Sequence, residues 1–284
     1  MKTRIPFTSL FLALSICAVA LAQQKGGSKP APTPPPTVKQ SKAKKPEAKL
    51  NAAYRAKLTN IELVWIAPGA FTMGAEKGEA GEAPAHRVTL SKGFYLGKFE
   101  ITQKQWQLVM GYNPSEFRGD NLPVESVSWD RAQIFLQRLN TLDRRYRYRL
   151  PTEAEWEFAA RAGTETDDLA TLNDMAWHAG NTDDERTHPV GSKKTNAWGL
   201  FDMHGNVWEW TADWLDWHGY EKLNITDPNV GALDPLGSPA GDHKVYRGGS
   251  WDQFPRACRS SHRYGDQTDH NDSALGFRVA ADKR

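Results

Sequence analysis

The stretch from Trp198 to Trp214 constrains the fold of this chain more than any other. It reads Trp-Gly-Leu-Phe-Asp-Met-His-Gly-Asn-Val-Trp-Glu-Trp-Thr-Ala-Asp-Trp, placing four tryptophans and two glycines among amide and carboxylate oxygens within seventeen residues. Such a run is too polar for an ordinary core strand and too aromatic for an ordinary loop. Gly205 lets the backbone bend sharply, and Asn206 and Glu209 are hard oxygen donors of the kind calcium takes. The competing reading is a buried turn whose polar groups bond the backbone while the indoles fill the core.

Upstream of this run the chain divides by composition. Residues 1–22 have the form of a secretory signal, with Lys2 and Arg4, an apolar run from Leu10 to Leu21, and Ala20-Leu-Ala22 before the expected cut. The apolar run is too short to span a bilayer comfortably. Cys17 raises a lipoprotein alternative, but Ile16 precedes it where a small residue is expected; cleavage after Ala22 removes Cys17. Residues 23–58 read as a linker, because Pro30, Pro32 and Pro34 to Pro36 favour extended geometry and Lys39 to Lys49 is Lys- and Ala-rich. That basic run either touches anionic lipid or cell wall, or is simply a solvated tether. No later segment is apolar enough to cross a membrane, so the expectation is an exported protein, periplasmic or extracellular. A formal charge of only +2 argues against a nucleic-acid surface.

Residues 59–284 fit one large domain. Eleven tryptophans point to a core stapled by aromatic turns rather than by long aliphatic helices. Ile61 to Ile66, then Pro68-Gly69, then Ala70 to Met73 predict strand, turn, strand, and Val88 to Leu90 with Phe94 to Phe99 predict the next hairpin. The polar segment Ala75 to His86 between them reads as a surface loop. Three helices are marked by their starts. Thr102 with Gln105 forms a capping box ahead of Trp106, Val109 and Met110. Ser128 caps a helix in which Ala132, Phe135, Leu136 and Leu139 share a face. Thr152 with Glu155 forms a second capping box directly after Pro151, with Trp156, Ala159 and Ala160 inward and Gly163 at the end. On this reading Glu153 and Glu155 are dipole and cap partners rather than catalytic acids. Beyond Gly163 periodicity is weak, apart from a short strand at Lys244 to Arg247.

Four stretches in order resemble the formylglycine-generating enzyme, or sulfatase-modifying factor, family. They are Phe71-Thr-Met-Gly74, Arg149-Leu-Pro-Thr-Glu-Ala-Glu-Trp-Glu-Phe-Ala-Ala-Arg161, the tryptophan-rich run itself, and Arg247-Gly-Gly-Ser-Trp251 followed by Leu275-Gly-Phe-Arg278. The resemblance covers about residues 60 to 281. It implies an α+β domain, irregular and helix-poor, related to the C-type lectin scaffold and reliant on metal ions and aromatic packing. Calcium is the cofactor it suggests, with Asn206 and Glu209 as candidate ligands and Asn181 to Asp184 as a weaker second set.

The family's best-known members use molecular oxygen to convert a sulfatase cysteine to formylglycine. The resemblance implies two cysteines a few residues apart, shortly after the Gly-Gly-Ser turn, holding copper(I) as thiolates, a soft-ligand site. Here the turn Gly248-Gly-Ser-Trp251 is followed by Asp252-Gln-Phe-Pro-Arg-Ala-Cys258, with a single thiol. Counting forward from the turn places Gln253 and Cys258 at the cysteine positions. Counting back from Leu275 to Arg278 shows a three-residue deletion and leaves Cys258 matching neither position. One thiolate is a poor copper(I) cage, and Cys258 is the sole catalytic candidate, either activated beside Arg256 and Arg259 or a small buried apolar group. Arg247, Ser250, Trp251, Arg259, Arg263 and Arg278 come from the segments that line the peptide groove in the resembling enzymes. Arginines there would clamp carboxylates and Trp251 would give a flat wall; alternatively Arg263 and Arg278 form internal ion pairs with acids such as Asp266 and Asp272. The eight histidines show no i,i+3 or i,i+4 pairing that would mark an iron site. The sequence therefore points to an exported, non-standard family member acting on, or binding, a peptide or small ligand. The alternatives are a true oxidase of a sulfatase partner, and a structural envelope component.

Overall fold

A computed structural model of the protein describes residues 59–79, 81–165, 169–223 and 231–284; the signal and linker readings for residues 1–58, with Cys17, fall outside them. Among the described residues, eleven short strands form three sheets, accompanied by four α-helices. This is the mixed, helix-poor architecture expected.

The first sheet has β1 (Leu63–Ile66), β4 (Phe94–Gly97), β11 (Ala280–Lys283) and β5 (Tyr146–Arg149) in the order β1-β4-β11-β5. The second pairs β2 (Gly69–Met73) with β3 (His86–Leu90), and β3 with β7 (Ala232–Leu233). The expected pairing of consecutive strands is thus corrected. Val88 to Leu90 and Phe94 to Gly97 do not form a hairpin, because β4 pairs with β1 and β3 with β2. The reason is burial. Val88, Leu90, Phe94 and Leu96 are all buried in one apolar cluster, which each strand reaches from a different sheet.

The third sheet runs β10-β6-β8-β9, with β6 (Trp208–Trp214), β8 (Lys244–Arg247), β9 (Arg263–Asp266) and β10 (Leu275–Gly276). Its inner strand β6 is the second half of the tryptophan-rich run, so that run is no turn throughout. Successive side chains of a strand face opposite ways. Trp208 and Trp210 therefore take one face and Glu209 the other. A register shift interrupts the pairing with β8 between Trp210 and Trp214.

The helices begin where their caps predict. Thr102 and Gln105 close a capping box on α1 (Gln103–Met110), Ser128 accepts from the Arg131 amide at the start of α2 (Trp129–Leu142), and Thr152 and Glu155 close a second box on α3 (Glu153–Arg161). Helix α3 ends at Ala162, already left-handed at φ 46°, one residue before Gly163. A fourth helix, α4 (Leu169–Met175), lies in the stretch beyond Gly163 where the periodicity is weak. Trp106 on α1 stacks on Phe135 on α2 at 5.3 Å and 3°, with Phe277 edge-on to both. A side chain as large and as buried as Trp106 removes roughly 200 Å² from water, about 5 kcal/mol. A second cluster centres on Trp156, Phe158 and Ala159 of α3 against β2, β3 and β4.

Candidate functional site

Alternation along the third sheet sorts the candidate residues onto two faces. In register, Arg247 lies opposite Glu209 and Arg263, and these three point into the interior. Trp208, Tyr246 and Tyr264 take the other face and form the wall of a groove.

A guanidinium this deeply buried must be paired or it costs several kcal/mol. Helix α3 supplies the partners. Arg263 grips Glu153 through Nε and Nη2, both at 2.7 Å, and Arg247 donates to Glu153 Oε1 at 2.8 Å, to Glu157, and to the Ser260 carbonyl at 2.5 Å. Arg161 donates to Glu157 from one turn further along, with Nη2 at 2.7 Å. From the connection between β10 and β11, Arg278 holds both oxygens of Glu209 at 2.6 Å, and Trp156 Nε1 donates to Glu209 at 2.7 Å. Arg247, Arg263 and Arg278 are therefore struts beneath the groove and not clamps within it, and their acids are Glu153, Glu157 and Glu209 rather than Asp266 and Asp272. Burial pulls each guanidinium down, but these carboxylates outweigh it and hold all three above their ordinary range.

The other three expected groove residues are also engaged internally. Ser250 Oγ donates to Asp252 Oδ1 at 2.6 Å, and Trp251 Nε1 donates to the Ser273 carbonyl while its ring meets Phe117 edge-on. Arg259 forks onto Glu82, both contacts at 2.8 Å. Glu82 belongs to the segment expected to be a surface loop, yet it is fully buried. Burial would raise its carboxyl, but hydrogen bonds from His262, Arg259 and Ser261 hold it at about 2. This carboxylate fixes His262 through Nδ1 at 2.9 Å, so that the imidazole edge borders the groove.

The groove itself holds about 420 Å³. Beyond the aromatic wall it is bordered by Asp252, Phe254 and Arg256 from the stretch after the Gly-Gly-Ser turn, and by Asp272 across from them. Phe254 is 67% exposed and Tyr264 49%, a large uncovered aromatic area beside two carboxylates. Sequence reasoning pointed to segments around this groove, while the side chains on its wall are others. The residues it missed, Trp208, Tyr246, His262 and Tyr264, were marked by their alternation with the arginines.

Two cofactors implied by the resemblance were set against this donor set. Copper(I) does not fit. Cys258 is the sole cysteine among the described residues; it is wholly buried, burial pushes its thiol up to about 12, and its Sγ packs against Gly249. It ends a 3₁₀ turn (Pro255–Cys258), clustering with Leu172 and Ala176, so it is a packed apolar group and not an activated nucleophile. The residues expected to bind calcium are engaged within the protein. Asn206 Oδ1 accepts from the His188 amide at 2.9 Å, its Nδ2 donates to Glu100 at 2.9 Å, and the oxygens of Glu209 are held by Arg278 and Trp156. The open oxygens lie next door. Glu100 Oε2 and Asp202 Oδ1 are buried and find no donor from any other group among the described residues, although the two carboxyls interact with each other. Burial raises both carboxyls, and each lies within the field of the other. These two carboxylates, rather than Asn206 and Glu209, would offer a hard cation its oxygens, but no third acidic, histidine or cysteine ligand stands with them among the described residues.

Comparison with known proteins places this geometry. A serine/threonine-protein kinase, Pkn1, of Chlamydia trachomatis serovar L2 is 30% identical over 247 residues, covering 78% of this chain and 38% of the kinase, so the chain spans well under half that relative's length. The formylglycine-generating enzyme of Mus musculus is 28% identical over 79% of this chain and 76% of its own. Among solved structures, Treponema denticola variable protein 1 superposes with a TM-score of 0.67 at 30% identity, over 77% of this chain and 94% of that one. Residues 48–283 match the model of the sulfatase-modifying factor enzyme 1-like domain. With the family model matching most of its length, the chain belongs to the sulfatase-modifying factor family.

Proposed function

We propose that this chain is an exported family member that binds a peptide in the Trp208–Tyr246–Tyr264 groove and does not oxidise a cysteine there. One observation carries the reading: the stretch that would supply paired thiols instead places Asp252 and Phe254 at the groove edge. Aromatic faces beside carboxylates suit a peptide with a basic side chain, since a cation over such a ring gains about 0.5–2 kcal/mol. Asp252 and Asp272 add charge complementarity, and His262, anchored by Glu82, adds a hydrogen-bonding edge. A binding role needs only that rigid wall, which the ion pairs beneath it supply. The leader-like residues 1–22 support export to the cell envelope, and no helix among the described residues is long and apolar enough to cross a membrane. A calcium ion held by Glu100 and Asp202 would brace the strand that carries Trp208.

The test uses a peptide with a sulfatase-type Cys-x-Pro-x-Arg motif, followed by mass spectrometry and by tryptophan fluorescence, with and without copper(I) and oxygen. The expected result is saturable binding with an unchanged peptide mass, and about tenfold weaker binding by Tyr264→Ala. Copper-dependent conversion of the peptide cysteine to an aldehyde would overturn the reading in favour of an oxidase.

A further inference from the structure

A second cavity, sharing no lining residue with the groove, lies where the end of β6 meets Tyr220 and the loop that follows β7. It holds about 470 Å³. Its upper walls are apolar, formed by Met73, Trp214, Leu223, Leu233 and Leu236. Leu233 and Leu236 stand 59% and 74% exposed, an unusual position for two leucines unless something apolar lies against them. The loop carrying Leu236 is held in place: Asp234 accepts from the Ser91 amide at 2.7 Å, and Ser238 bridges Trp214.

The deep end of the cavity is polar, with an unpaired acid, an imidazole lone pair and an unpartnered hydroxyl that can accept as well as donate. Asp213 makes no ion pair among the described residues; its Oδ2 accepts only the Glu153 amide, at 2.7 Å. Tyr220 Oη is buried without a hydrogen-bond partner among the described residues. His86 contacts the Pro84 carbonyl through Nδ1 at 3.0 Å. A carbonyl only accepts, so Nδ1 carries the proton and Nε2 is left as a lone pair. Burial keeps that imidazole neutral by pushing its pKa down. The cations nearby are committed: Arg263 to Glu153, and Lys222 to Asp216.

We propose that this cavity is a second ligand site, for a compact aliphatic amine whose ammonium is held by Asp213, His86 and Tyr220 and whose chain lies against Met73, Trp214 and Leu236. An ammonium carries three donors and one positive charge, which answers three acceptors and one unpaired acid. A carboxylate ligand would meet Asp213 and Glu153 with the wrong sign. An alcohol would fill the walls and leave the acid unpaired.

Burial, with Glu153 close by, pushes the Asp213 carboxyl up to about 7, so amine binding strengthens as pH rises through 7 and the acid ionises. The charged groups bearing on Asp213 are Glu153 and Glu155 from α3 and Arg263 from β9, with Lys244 from β8.

The probes are n-hexylammonium, n-hexanol and hexanoate, titrated calorimetrically into the intact protein at pH 8. The expected result is saturable binding of hexylammonium, at least tenfold weaker binding of hexanol, and none of hexanoate. Asp213→Asn keeps an oxygen for the Glu153 amide and is expected to lower hexylammonium affinity at least tenfold. Leu236→Arg, at an exposed position that leaves the fold alone, sets a cation at the mouth and is expected to lower it several-fold. The groove variant Tyr264→Ala is expected to leave it unchanged. Absence of saturable hexylammonium binding, equal affinity for hexanol, or full affinity in Leu236→Arg would each overturn the proposal.

Discussion

Truncating one member of a buried ion pair leaves the other charged and unsolvated, and Arg278 is where this chain is most exposed to that penalty. Its guanidinium holds both Glu209 oxygens and also donates to the Gly97, Phe201 and Asp202 carbonyls. Arg278→Met is therefore expected to lower stability by about 3–5 kcal/mol in urea unfolding. Arg278→Met combined with Glu209→Leu should recover part of that loss, because no unpaired carboxylate then remains; full additivity of the two losses would argue against the pair acting as a unit. Cys258 illustrates the same logic for an uncharged group. With its thiol pushed up to about 12 by burial, it should resist a thiol reagent at pH 8 in the folded protein and react only as fast as the chain unfolds. Rapid stoichiometric labelling under native conditions would restore it as a reactive nucleophile. At this scale the sequence showed which residues were charged but not which way they faced, and the arginines were misassigned for that reason. Their partners were nonetheless partly visible, since Glu153, Glu157 and Arg161 are spaced at i,i+4 steps on a helix whose start was clear.

The elements divide into those set locally and those set by distant partners. The three capped helices fall in the first class, because a Thr or Ser oxygen and a Gln or Glu three residues on satisfy orphan amides without outside help. Thr152→Ala should accordingly cost about 1 kcal/mol, read as a shift in the urea midpoint at constant slope. Helix α4, only seven residues long, falls where periodicity is weak and was not anticipated. Strand pairing belongs to the second class: β1 to β4 and β2 to β3 are decided by which apolar faces meet, not by the turns between neighbours. The loop between β2 and β3 is the sharpest instance, since nothing local announces that Glu82 is buried against Arg259, Ser261 and His262. Its carboxyl sits at about 2, below the ordinary range near 4.5, so the folded state binds fewer protons than the unfolded one. That stabilisation is fully present above about pH 5 and fades as pH falls towards 2. Glu82→Gln should flatten the acid limb of a stability–pH curve and weaken groove binding by releasing His262; an unchanged acid limb would show that the loop is held by other contacts.

For the whole molecule, the tryptophan-rich run acts as a hub, because one half is the strand β6 and the other half reaches residues far away in sequence. Its polar side chains made it read as too polar for a core strand, and only their partners in the fold show that Trp208 to Trp214 is one. Those partners lie on α3, on β11's approach at Arg278, and on the segment after β4 that carries Glu100, so the run ties three sheets together. The Glu100–Asp202 pair sits at this junction, two buried acids each with one oxygen that finds no donor from any other group among the described residues. If calcium binds there, it stabilises only the folded chain, by about 2.7 kcal/mol at a hundredfold excess over Kd. For a domain of this size that corresponds to a rise in Tm of about 5–10 °C. Thermal scans of chelator-treated protein with added calcium, and of Glu100→Gln, separate the outcomes. A calcium-dependent rise lost in Glu100→Gln identifies the pair as the cation site. A Tm indifferent to calcium and raised by Glu100→Gln identifies two acids sharing a proton, for which a neutral amide removes the repulsion.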